Sequence, residues 1–99
     1  MSKEIRKTTG EGHIYVITNP AWPGYCKVGR SLGVTERLRT YQTASPHRDY
    51  TLEFTRRFAD VHAAERRIRA VLPAFKAKGE WHHISVIAAI SLLHSLPST

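Results

Sequence analysis

Two short apolar runs near the front of the chain, HIYVIT and YCKVG, flank a turn rich in Asn, Pro, Trp and Gly. β-branched and aromatic residues favour extended backbone, and Gly12 and Asn19-Pro20 bound the first run. Pro23-Gly24 is a strong turn signal ahead of the second run, so the pattern predicts a β-hairpin whose loop covers residues 19–24. VTERLRTYQTAS then places Val34, Leu38 and Tyr41 at helical spacing, with Glu36 in a first turn that favours acids. Ser45-Pro46 ends that helix. YTLEFTRRF alternates, with Tyr50, Leu52, Phe54 and Phe58 on one side and Thr51, Glu53, Thr55 and Arg57 on the other, which reads as a half-buried third strand.

Asp60 can cap a helix starting at Val61, whose apolar stripe is Val61, Ala64, Ile68, Val71, Leu72 and Phe75. Pro73 interrupts it. GEWHHIS is short and extended, Ser85 can cap, and residues 86–96 form a last, mostly apolar helix that packs on its own domain or makes a homodimer contact. The order is β-β-α-β-α-α, an α+β domain with a small three-stranded, mainly antiparallel sheet flanked by helices. Residues 1–12 read as a flexible arm and 13–99 as one domain.

Composition narrows the setting. Ninety-nine residues at 41% hydrophobic and 23% charged suit one ordinary globular domain. One cysteine, Cys26, cannot form an internal disulfide. The polar start lacks the apolar core of a signal peptide, and the longest apolar stretch is too short to span a bilayer. A reducing, cytoplasmic setting with no membrane is the expectation. Fifteen Lys and Arg against eight Asp and Glu give +7, and ten of the fifteen are arginines, the better bidentate phosphate binders. A basic domain of this kind attracts polyanions, which puts nucleic acid ahead of a merely solvated charged surface.

Four residues break their local pattern. Glu65 lies about 40° from Val61 and about 20° from Leu72 at 100° per residue, on the edge of the apolar stripe rather than outside with Arg66 and Arg69. A partly buried carboxylate must be paired, hydrogen-bonded or metal-bound, and taken alone an ion pair with an arginine is the better explanation. Arg37, three residues after Val34, leans toward a buried face, where a snorkelling arginine would be ordinary. Tyr15 sits in a central strand, where core tyrosines are common. Lys27 lies mid-strand, and its ordinary role would be to guard a sheet edge. Each is unremarkable alone; four in one small domain are less so. His82 and His83 are adjacent on an extended segment and cannot chelate one ion together, so a zinc site is improbable. Cys26 reads as a small core residue.

These residues fall in stretches that resemble the GIY-YIG nuclease superfamily, in particular its small phage- and bacteria-type branch. HIYV is similar to the first half of the signature and CKVGRS to the second. ERLRTYQTASP resembles that branch's helix-and-turn motif, and AAERRIRAVLPAFKAKGEWHHIS its acidic helix and following strand. The resemblance spans roughly residues 13–85. It implies that Tyr15 is the general base or water-positioning group, that Lys27 replaces the second motif's tyrosine, and that Gly29 is the motif glycine. Arg37 would steady the scissile phosphate, and Glu65 would hold a divalent metal, Mg²⁺ or Mn²⁺. Arg30, Arg39, Tyr41, Arg66 and Arg69 would contact nucleic acid.

The implied activity is metal-dependent endonucleolytic hydrolysis of DNA, with RNA the other candidate polymer and low or structure-based specificity. A tyrosine is a poor base at its free pKa, and a cation such as Lys27 beside it would favour the phenolate. The sequence departs from the family where Tyr41 replaces a histidine and where EWHHIS offers Glu80, His82 and His83 in place of an asparagine. Two other classes compete: a non-catalytic nucleic-acid-binding module of the same fold, and a small modulator of another nuclease or defence protein.

Overall fold

The computed structural model describes residues 10–33, 38–40, 42–43, 49–72, 77–78 and 81–97. Five strands form one sheet: β1 (Gly12–Thr18), β2 (Tyr25–Ser31), β3 (Thr51–Phe58), β4 (Ala77–Lys78) and β5 (Trp81–His83). Their order is β3-β1-β2-β5-β4, with every neighbouring pair antiparallel. Two helices, α1 (Val61–Val71) and α2 (Val86–Ser95), follow β3 and β5. Residues 38–40 and 42–43 are also helical. The α+β class is as expected, but the sheet has five strands rather than three. The GEWHHIS segment contributes β5, which bonds to β2 on one side and to β4 on the other.

The hairpin forms where the turn residues predict it. Asn19 is buried and closes the loop from inside: its Oδ1 accepts from Ala21 N at 2.8 Å and its Nδ2 donates to Asp49 Oδ1 at 3.0 Å. Gly24 adopts φ +85°, a left-handed conformation that side-chain-bearing residues resist. β1 and β2 then pair with Tyr15 opposite Gly29 and Ile17 opposite Lys27. Residues ahead of His13 join the fold. Gly12 opens β1, Gly10 O accepts from Val61 N at 2.6 Å, and Glu11 pairs with Arg57 at 2.6 Å.

Alternation gives the sheet two faces. Ile14, Val16, Cys26 and Val28 meet Val61, Ala64, Ile68 and Leu72 from α1 and its end, together with Ala89 and Leu93 of α2. Both helices start at their predicted caps: Asp60 accepts from Ala63 N and Ser85 from Ala88 N, each at 3.1 Å. Val71, expected in the stripe, is exposed, because Leu72 takes the inward position at the helix end. Phe75 and Pro73 lie outside the described residues. α2 packs on its own domain through Ala89 and Leu93.

The β1–β3 register shifts by one residue between Val16 and Ile17, leaving Glu53 as the extra residue. Leu52 therefore stands opposite Ile17 instead of continuing the Phe54–Phe58 side. Arg56, on the helix side of β3, donates from Nη1 to Leu93 O at 2.5 Å and Leu96 O at 3.0 Å. A guanidinium at a helix C-terminus satisfies carbonyls that have no partner within the helix.

Candidate active site

On the face away from α1 and α2, Tyr15, Ile17, Lys27 and Gly29 form one strip. Tyr15 is 3% exposed, and its ring lies across the cross-strand position occupied by Gly29. A Cβ at Gly29 would sit 2.7 Å from Tyr15 Oη and 2.9 Å from Cζ, closer than side-chain carbons are found. Gly29 is thus the space that the tyrosine ring fills. Lys27 is 7% exposed, opposite Ile17 on one side and Trp81 on the other. Because β2 has a strand on both sides, Lys27 does not guard an edge. It is a diagonal neighbour of Tyr15, a separation that a lysine side chain can bridge.

Glu65 is on α1, at the stripe edge that its helical position predicts, with its side chain 18% exposed. Its Oε1 accepts from Arg30 Nε at 2.7 Å and its Oε2 from Arg69 Nη2 at 3.2 Å. The half-burial and the pairing both follow the sequence argument for this carboxylate. Tyr15 and Glu65 thus belong to different faces of the sheet: Tyr15 lies against Gly29 and Glu65 against Arg30, consecutive residues of β2. Among the described residues β5 pairs with β2 only from Tyr25 to Lys27, so it does not cover this end of the strand.

Of the remaining candidates, Arg69 joins Glu65 as given above, and the others do not gather among the described residues. Arg39, Arg66 and Arg69 are exposed. Arg37, Tyr41 and Glu80 lie outside the described residues. His82 and His83 point to opposite faces, as adjacent strand residues must. His82 is buried on the α1 side opposite Cys26, and its Nδ1 has no hydrogen-bond partner among the described residues. Burial lowers its pKa, and the charge of Arg69 lowers it further. His83 stacks on Tyr25 with ring centroids 5.0 Å apart.

Cys26 donates from Sγ to Ile84 O at 3.3 Å, and burial pushes its pKa up to about 11, which makes it a core thiol and no nucleophile. An aromatic row over Lys27 was missed in the sequence: Trp81 lies 5.1 Å from Trp22 and 6.3 Å from Tyr50 between ring centroids. The available signal was Trp81 alternating with His83 in the short GEWHHIS segment.

Among the described residues no three His, Cys, Asp or Glu side chains gather as a cation site. Glu65 offers one hard, partly exposed carboxylate, which suits an ion such as Mg²⁺ that keeps water and substrate oxygens in its shell. Any such ion has to share or displace the two guanidinium contacts. The family model of the T5orf172 domain matches residues 12–95, from the first residue of β1 to the last of α2. Comparison with curated proteins and with solved structures returned no match.

Proposed function

The chain belongs to the T5orf172 domain family, a phage-associated domain of the GIY-YIG-like type, and on that premise we propose that it is a metal-dependent endonuclease acting on DNA. The observation that supports this reading is that the end of β2 left unpaired by β5 carries Gly29, against which Tyr15 packs, followed by Arg30, which holds the half-buried Glu65. Tyr15 activates or positions the attacking water at its Oη. Lys27, on the diagonal, favours the phenolate of Tyr15 by its charge. Arg30 and Arg69 receive phosphate oxygens, and Arg37 adds charge on the scissile phosphate. Glu65 would hold Mg²⁺ or Mn²⁺, which when bound would supply Lewis-acid stabilisation of charge on the leaving oxygen. Arg39, Tyr41 and Arg66 extend the nucleic-acid contact. No helix among the described residues is long and apolar enough to cross a membrane.

One observation favours a second reading. Both Glu65 oxygens already accept from arginines, which is what a non-catalytic nucleic-acid-binding module needs in order to present Arg30 and Arg69 outward. Plasmid nicking in Mg²⁺ or Mn²⁺ separates the two. The nuclease reading expects cleavage by the wild type and its loss in Glu65→Gln and Tyr15→Phe. Absence of metal-dependent cleavage by the wild type, or equal cleavage by Glu65→Gln, refutes it. Salt-sensitive DNA binding without cleavage would establish the binding module.

A further inference from the structure

Glu65 is tied on both oxygens. Oε1 holds Arg30 Nε at 2.7 Å and Oε2 holds Arg69 Nη2 at 3.2 Å, so a divalent ion approaching the carboxylate meets two positive charges already in place. The arginines are differently situated. Their side chains are 45% and 62% exposed against 18% for Glu65. Each bonds the carboxylate through one nitrogen and keeps other N–H groups for a further anion. Phosphate oxygens and Glu65 therefore compete for the same two guanidinium groups, while metal and guanidinium compete for the same carboxylate.

We propose that the Arg30–Glu65–Arg69 clasp couples the two binding events: nucleic-acid phosphates draw the arginines off Glu65 and so open its carboxylate to a divalent cation. This rests on the metal-dependent nuclease reading given above. The coupling is reciprocal, because whatever factor nucleic acid adds to metal affinity, metal adds to nucleic-acid affinity. Ion pairs with exposed partners shift an equilibrium by a factor of about 1.5 to 5 each, so breaking both is worth about two- to twenty-fivefold in metal affinity. The protein off its substrate is then a weak metal binder, and metal is recruited where phosphate is present.

The test is Mn²⁺ binding, followed by the electron paramagnetic resonance of the free ion. The variants are Arg30→Gln, Arg69→Gln, the pair together, Glu65→Gln and Arg57→Gln. Arg57 pairs with Glu11 at 2.6 Å, so Arg57→Gln removes the same charge without touching Glu65. A cooperative thermal melt checks that each variant is folded. The double variant should bind Mn²⁺ about two- to twenty-fivefold more tightly than wild type, with little change in Arg57→Gln and loss in Glu65→Gln. A phosphorothioate DNA duplex, corrected for Mn²⁺ held by the duplex alone, should tighten wild-type binding by a larger factor than it tightens the double variant's. Glu65-dependent binding that is no tighter in the double variant than in Arg57→Gln overturns the coupling and leaves the metal reading standing. Absence of Glu65-dependent binding in every variant overturns both.

Discussion

Gly29→Ala tests the closest contact in the proposed site. The added Cβ would meet Tyr15 Oη at 2.7 Å and Cζ at 2.9 Å, several tenths of an ångström inside ordinary contact. Tyr15 is buried in a strand bonded on both sides, so its ring has little room to retreat. Overpacking of this kind costs about 1–3 kcal/mol. For a domain of this size that lowers Tm by about 4–8 °C per kcal/mol. Removing only the hydroxyl relieves only part of the clash, because Cζ remains at 2.9 Å. Gly29→Ala should therefore still destabilise Tyr15→Phe, whereas in Tyr15→Ala, where the ring is gone, it should cost almost nothing. The assay is urea denaturation of the four-membered cycle, wild type, Gly29→Ala, Tyr15→Ala and both. Additive effects, with a coupling energy near zero, would refute the assignment of Gly29 as the space for the ring.

Three further outcomes follow from the same geometry. His82 has a folded pKa below its usual 6.5, so its neutral form is the one the fold favours and the unfolded chain binds the extra proton. Its contribution is complete above about pH 6.5 and is lost as pH falls toward the folded pKa; urea titrations at pH 7.5 and 5.5 should show this loss, and His82→Leu should flatten it. Lys27→Met should move the pH optimum of nicking upward, since the phenolate of Tyr15 loses its neighbouring cation, and an unchanged profile sinks that role for the lysine. Arg56→Met should cost about 1–3 kcal/mol and raise hydrogen exchange in the last turn of α2 above that of α1, because Leu96 O loses the Arg56 donor and Leu93 O is left with the N–H of Leu96 at 3.3 Å; uniform exchange in both helices would contradict the capping role.

What was legible in the sequence was local. Asn19, Pro23 and Gly24 announce the hairpin loop, and Asp60 and Ser85 announce the helix starts, because turns and caps are decided within a few residues. The placement of Glu65 followed from 100° arithmetic on one helix. What that arithmetic could not supply was the partner, since Arg30 is brought to Glu65 by strand order across 35 positions. Strand order also undid the edge-strand explanation of Lys27: β5, only three residues long, is too short to show a period yet makes β2 internal. Leu52 was misplaced because one bulge residue reverses the alternation. Val71 was misplaced because a stripe drawn on a helix does not say which residue turns inward at its end.

The position of β1 between β3 and β2 has a kinetic consequence. Its bonds to β2 close a loop of a few residues, but its bonds to β3 join positions such as His13 and Arg57, far apart in the sequence. Chain closure over that span has to precede its reward, so docking of β3 on a preformed hairpin is the expected rate-limiting event in folding. Truncating Phe54, which faces Val16 across that junction, should then slow refolding, while truncating Ile84 beyond β5 should chiefly speed unfolding. Stopped-flow refolding of the two variants decides it: equal partitioning between the two rates would place the barrier elsewhere. On this view β1 is the template on which the rest of the sheet is assembled.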